Sequence, residues 1–171
     1  MIPEIIFCLQ CASRLAENHL STEDRPRLVC SNCGYIHYIN PKVVSGTLPV
    51  QDGKVWLLMR GIEPRLGYWT YPAGFQEIDE STEEAAIRET LEEIGCYVEL
   101  RELFGVYSRP GAPVNIVYVA HLFETGGIPR TTGEALEVQA FAPDEVPWAD
   151  LAFPSTLAIL RDWVERMKSG S

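Results

Sequence analysis

Glu89, Glu92 and Glu93 stand at i, i+3 and i+4 of a stretch that reads as a helix, so their carboxylates share one face. Like charges on one face cost a helix a few tenths of a kcal/mol, roughly, per pair. Either water solvates that face or a hard cation neutralises it. Mg²⁺ prefers carboxylate oxygens, keeps several waters and shares itself with substrate phosphates. The loop Pro72-Ala73-Gly74 ahead of the helix can offer a backbone carbonyl of Ala73 or Gly74 as a further ligand. Such an arrangement suits metal-assisted attack of water on a phosphate. The helix that must position these groups is well marked. Ser81 and Glu84 form an S-x-x-E capping box, and Gly95 supplies the stop. Ala85, Ala86, Ile87, Leu91 and Ile94 give it an apolar side.

A second set of chemical residues lies near the N-terminus. Cys8, Cys11, Cys30 and Cys33 are spaced C-x2-C-x18-C-x2-C, the pattern of a four-thiolate zinc site. The alternatives are two disulfides of a secreted chain or a redox pair. The N-terminus lacks a basic-then-apolar signal pattern, and a redox pair belongs near a strand-helix unit. The segment is too short to build a core, so a structural Zn²⁺ is expected to supply its folding energy. His19 and His37 are ligands only in principle, because four thiolates already complete a tetrahedron. Reduced thiolates fit a cytoplasmic protein. Cys96 is left over, as a packing residue.

The remaining chain supplies the frame. Net charge is −10 with a pI near 4.7, which argues against a nucleic-acid partner but not against a phosphate substrate, since metal ions invert the local sign. No apolar run approaches the ~20 residues that span a bilayer. Residues 42–50 and 55–60 read as strands joined by a hairpin with Asp52-Gly53 at its centre. Strands are expected again within 97–108, 115–123 and 136–141, with a polar loop over 124–134. A terminal helix follows Phe153-Pro154, with Leu157, Leu160, Trp163, Val164 and Met167 as its stripe. The class is α+β, a mixed sheet between helices. Asn40-Pro41 makes the joint between a zinc ribbon over 1–39 and a larger domain over 40–171.

Gly74, Glu80, Arg88, Glu89, Glu92, Glu93 and Gly95 fall on G-x5-E-x7-R-E-U-x-E-E-x-G-U, U being a bulky apolar residue. The segment resembles the Nudix box, with Thr90 at the first U and Cys96 at the second. The resemblance implies a Nudix α/β/α sandwich and hydrolysis of a nucleoside diphosphate linked to another moiety, by water acting with Mg²⁺ or Mn²⁺. It implies Glu89 and Glu93 as the strongest metal ligands, Glu92 within the cluster, and a carbonyl from Ala73 or Gly74. Arg88 would hold a box glutamate by a bidentate pair, or form a structural ion pair only; Glu80 would sit at the helix start or in an outer shell. The general base would be a box glutamate or a later one, Glu134 or Glu137, with Glu137 preferred. Tyr68, Trp69, Tyr71 and Tyr107 are candidates for stacking on a base or flavin, and Arg60, Arg65 and Arg109 for clamping phosphates.

A zinc ribbon ahead of the box is similar to NADH pyrophosphatases, but their S-Q-P-W-P-F-P-x-S motif is absent. Through IHYINPKVVSG, GYWTYPAGF, ALEVQAF and DEVPWADLAFPS, nearly the full length more closely resembles a compact zinc-ribbon Nudix group that includes plant plastid hydrolases of FAD and ADP-ribose. The implied partner is a small dinucleotide or nucleotide sugar of ADP-ribose, FAD or NADH type, with AMP as product. Removal of an NAD-like cap from RNA and non-catalytic sensing of ADP-ribose are the alternatives. Nudix domains are often dimers, so a homodimer is a further partner the resemblance admits.

Overall fold

Three short strands, Leu15–Asn18 (β1), Arg27–Cys30 (β2) and Ile36–His37 (β3), make an antiparallel sheet around the first cysteines, in the order β1-β2-β3. The structure is a computed structural model, described over residues 5–123 and 127–169. It divides into two compact units, Met1–Pro41 and Lys42–Ser171. β1 carries no pattern that the sequence could reveal: only Leu15 is half-buried, and Ala16, Glu17 and Asn18 are exposed. It is fixed by its ladder, Leu15 opposite Cys30 and Asn18 opposite Arg27.

The second unit is built on Val43–Gln51 (β4) and Lys54–Arg60 (β5). The connecting Asp52 and Gly53 both have positive φ, 51° and 73°, as a two-residue hairpin of matching twist requires. Trp69–Thr70 (β6) and Ala73–Phe75 (β7) are short strands of the loop that follows. Then come Thr82–Ile94 (α1), Val98–Tyr107 (β8), Val114–Leu122 (β9), Ala135–Phe141 (β10) and Pro154–Ser169 (α2). The sheet order is β10-β5-β4-β9-β8, with β6 added to β5 and β7 to β4. It is mixed, because β4 and β9 run parallel from Val43 opposite Val114 to Val50 opposite His121. A parallel pair needs a long crossover, and α1 with β8 provides it. Three residues of the polar loop before β10, 124–126, lie outside the described residues.

The larger core brings Leu48, Leu57, Phe104 and Val117 from the sheet against Ile159, Leu160 and Trp163 of α2. On α1 the buried side is Ala85, Ala86, Thr90, Glu93 and Ile94. The expected Ile87 and Leu91 are only half-buried. A threonine and a glutamate thus stand where an amphipathic helix would put hydrocarbon, and both have partners.

Candidate active site

The capping box fixes where α1 begins. The Ser81 hydroxyl accepts from the Glu84 N–H at 3.2 Å, and the Glu84 carboxylate accepts from the Ser81 N–H at 2.8 Å. Gly95 ends the helix at φ 63°, its N–H donating to Leu91 O. Between these ends the carboxylates have unequal surroundings. Glu92 is exposed. Glu89 is half-buried, and burial raises its pKa against the opposing pull of Arg88. Glu93 is 5% exposed and accepts one hydrogen bond, from the Ala73 N–H at 2.8 Å. Burial pushes it up to about 8, and the charges of Glu89 and Glu134 add to that while Arg60 opposes it.

Arg88 ties the rim together. Its guanidinium forks onto Glu80, Nε to Oε2 at 2.9 Å and Nη2 to Oε1, and the Phe75 carbonyl also accepts from Nη2. Nη1 donates to Glu89 at 2.7 Å and to Glu92 at 3.1 Å. The bidentate partner is therefore Glu80, whose carboxyl Arg88 and the Glu77 N–H hold down to about 2. Glu89 receives a single, aimed bond.

The other wall is β7, held on β4 with Gly74 opposite Ser45. A Cβ at Gly74 would lie 2.2 Å from Cδ and Oε1 of Glu89, so this approach of strand to carboxylate needs glycine. Glu89 and Glu93 therefore converge on Ala73–Gly74, with Arg88 bonded to Glu89 and the Ala73 N–H bonded to Glu93. Carboxylate oxygens beside a cradle that admits no side chain fit a hard divalent cation, which also favours their charged form.

The later glutamates sort differently from the expectation. Thr132 Oγ1 donates to Glu93 O at 3.0 Å and the Arg130 N–H to Ile94 O at 2.9 Å, which ties the loop before β10 to the end of α1. Glu134, at the end of that loop, is the one whose charge weighs on both Glu89 and Glu93. Glu137, the preferred candidate, is exposed on β10 opposite Met59, beyond a bulge that follows Ala135. Which side of that bulge faces α1 is a tertiary fact, and strand alternation does not carry it.

Beside Ala73 and Gly74 opens a cavity of about 650 Å³, lined among others by Arg60, Phe75, Tyr107, Arg109 and Phe153. The Arg60 guanidinium lies 5.2 Å over the Phe153 ring and Nε donates to Pro64 O at 2.8 Å. Tyr71 forms part of the wall, its hydroxyl donating to Asn115 at 3.3 Å. Tyr107 donates to Asp162 at 2.8 Å, and burial with that carboxylate raises its pKa. Three expected binding residues lie elsewhere. Trp69 is a core residue, edge-on to Phe141 at 4.9 Å, because β6 turns it inward. Tyr68 packs under Arg65 at 5.4 Å, and Arg65 borders a separate hollow of about 200 Å³. Phe75, Phe153 and Asn115 are lining residues the sequence reading missed; Phe75 directly follows the box glycine, a local signal for it, while Phe153 has none.

In the first unit the four Sγ atoms of Cys8, Cys11, Cys30 and Cys33 lie within 4.8 Å of one another, and no other such group occurs among the described residues. Cys8–Cys33 is 3.7 Å, and Cys11 is 3.5 Å from both Cys30 and Cys33. A tetrahedron with Zn–S arms of about 2.3 Å has edges near ~3.8 Å, so the cluster fits Zn²⁺. The Gln10 N–H and Asn32 Nδ2 donate to Cys8 and Cys11 sulfurs, as thiolates favour. Cys96 is fully buried in the second unit beside Leu58 and Ile94. One zinc per chain is therefore expected. Its removal by a strong chelator should expose the four ribbon thiols to a thiol reagent while Cys96 reacts only on unfolding. Four fast thiols before chelation would contradict this.

Comparison with known proteins places these features. The NUDIX domain model matches residues 40–163, and the zinc-ribbon model described as Nudix N-terminal matches residues 7–39. An ADP-ribose pyrophosphatase of Methanocaldococcus jannaschii is 33% identical over 141 residues, 80% of each chain. An NAD-capped RNA hydrolase NudC of Haemophilus influenzae is 32% identical over 89% of this chain, which spans 56% of that protein's length. The crystal structure of a NUDIX hydrolase from Nitrosomonas europaea superposes with a TM-score of 0.88 at 39% identity, covering 98% of this chain and 94% of that one. The carboxylate helix, the glycine cradle and the thiolate ribbon thus occur in a chain that belongs to the Nudix family.

Proposed function

We infer that this chain hydrolyses the pyrophosphate bond of a nucleoside diphosphate joined to a second moiety, of ADP-ribose, FAD or NADH type, releasing AMP. The observation that carries the reading is the convergence of Glu89 and Glu93 on the Ala73–Gly74 cradle at the edge of a cavity holding Arg60 and Arg109. Nudix enzymes depend on divalent metals, and Mg²⁺ or Mn²⁺ bound by Glu89, Glu93, Glu92 and a carbonyl of Ala73 or Gly74 would supply charge neutralisation at the phosphates and a water acidic enough to attack. The chain's own residues do the rest. Arg88 aims Glu89, and the Ala73 N–H aims Glu93. Arg60 and Arg109 hold phosphate oxygens, and Phe75, Tyr107 and Phe153 give the apolar wall for the base or the second moiety. Glu134 takes the proton of the attacking water. The ribbon over 1–39 serves the hydrolase domain over 40–171 as a zinc-folded scaffold in a reducing, cytoplasmic setting, and a homodimer is the assembly we expect.

The similarity to an ADP-ribose pyrophosphatase over 80% of both chains supports a small substrate. Similarity to NudC favours the NAD-capped RNA reading as the second choice, against which stands the net charge of −10. The test is AMP release from ADP-ribose, FAD, NADH, NAD and NAD-capped RNA, each with Mg²⁺ and with Mn²⁺. Metal-dependent AMP from a small dinucleotide supports the reading; binding of ADP-ribose without cleavage overturns it in favour of a sensor. Glu134→Gln should lower kcat by about a hundred- to ten-thousandfold, the range of a lost general base, and Glu137→Gln by less than about twofold. Steady-state kinetics at saturating metal decide between the two.

A further inference from the structure

Thr90 departs from the bulky apolar residue of the box it resembles, and its partner lies 43 residues away on the central strand. Thr90 Oγ1 donates to Ala86 O at 2.7 Å and is 2.7 Å from Thr47 Oγ1 on β4. A hydroxyl has one proton, and a carbonyl can only accept. Thr90 therefore spends its proton on Ala86, and Thr47 is the donor between the two threonines. Both side chains are fully buried. Thr47 also donates its backbone N–H to Pro72 O at 3.0 Å, on the segment that leads into β7. Its neighbour Gly46 is opposite Ala73, where a Cβ would come within 2.3 Å of the Ala73 Cβ. One residue of β4 thus holds both walls of the site, the β7 cradle by its backbone and α1 by its side chain. Thr90 is the next residue after Glu89 and lies one turn before Ile94.

We propose that Thr47 and Thr90 are positioning residues: their directional hydroxyl pair sets α1 on β4 so that Glu89 and Glu93 meet Ala73 and Gly74. The inference rests on the metal reading of those carboxylates. It carries an asymmetry that a merely apolar contact would lack. Thr47→Val leaves Thr90 still donating to Ala86, with only an acceptor position unfilled. Thr90→Val, although it moves the chain toward the box pattern, strands the Thr47 proton in a buried place with no acceptor, which α1 can relieve only by shifting. Thr47→Val/Thr90→Val removes both hydroxyls and restores a matched surface.

The test is direct Mn²⁺ binding, read from the electron paramagnetic resonance of free Mn²⁺ on the zinc-loaded full chain, alongside thermal melting without Mn²⁺. Thr90→Val should weaken Mn²⁺ binding by about five- to tenfold and Thr47→Val by about twofold. Thr47→Ser should bind as wild type, and the double variant should return to within about twofold of it. Equal Mn²⁺ affinity in wild type and Thr90→Val, or no recovery in the double variant, overturns the positioning role even if melting temperatures fall. Should Thr90→Val fail to fold, Thr47→Val against Thr47→Ser and the double variant carries the same comparison. Absence of Mn²⁺ binding by wild type overturns the metal reading itself, and this inference with it.

Discussion

Replacing Glu93 with Gln is expected to lower kcat by about a thousandfold or more and, in protein stripped of Mg²⁺ and Mn²⁺ but retaining zinc, to raise the melting temperature. The first effect follows from losing a charged oxygen that holds the metal, worth about 4 kcal/mol of transition-state stabilisation when the loss is a thousandfold. The second follows from burial. Glu93 is 5% exposed, and its pKa in the fold is raised to about 8 from the ordinary 4.5. A group whose folded pKa is raised stabilises the fold fully below its unfolded pKa, and that stabilisation is lost as pH rises through the folded value. The metal-free wild type should therefore lose stability relative to Glu93→Gln between pH 4.5 and about 8, and no further above that. Adding Mn²⁺ should reverse the order, since a ligand bound only by the folded state stabilises it. Calorimetry across this pH range checks it; a difference between the proteins that does not change with pH would contradict the burial argument.

Gly74→Ala should separate function from folding. The new Cβ would stand 2.2 Å from the Glu89 carboxylate, and β7 cannot retreat because Gly74 is paired opposite Ser45 on β4. What yields is the carboxylate, whose bond from Arg88 Nη1 at 2.7 Å is then broken or bent. We expect kcat to fall by about a hundredfold and the metal requirement to rise, as for a misplaced catalytic group. The melting temperature should move by only a few degrees, about 1 kcal/mol, because a flexible side chain absorbs the clash. Activity restored by raising Mn²⁺ alone would fit a displaced ligand. A collapse of the melting temperature with unchanged metal affinity would show that the glycine serves the sheet instead.

What was readable in the sequence was local. The capping box, the Asp52-Gly53 hairpin and the cysteine spacing each depend on residues within a turn or a knuckle, and each appears as expected. The Glu89–Glu93 face was legible because helical periodicity alone places it. The Arg88 fork onto Glu80 is half legible: the resemblance implies a bidentate pair with a box glutamate or a plain ion pair, but not the loop that folds Glu80 back eight residues. Long-range placements were hidden. Phe153 comes from the residue just before α2 to the cavity wall, and the charge of Glu134 reaches Glu89 and Glu93 because the loop before β10 is tied to α1 through Thr132 and Arg130. Aromatic residues around Tyr68 and Trp69 could not be sorted, since one packs under an arginine and the next enters the core. The Thr90 departure from the box has its physical reason in Thr47, which faces it from a strand 43 residues away in the chain.

Hydrolysis of ADP-ribose in ¹⁸O-labelled water with Mg²⁺ or Mn²⁺, followed by phosphorus NMR, tests the central claim most directly. Attack of water on a pyrophosphate phosphorus should give AMP and ribose 5-phosphate with one ¹⁸O in a phosphate group, dependent on the metal and abolished in Glu93→Gln. Intact ADP-ribose, with FAD and NADH equally intact under the same metals, or products whose phosphates carry no label, would contradict it.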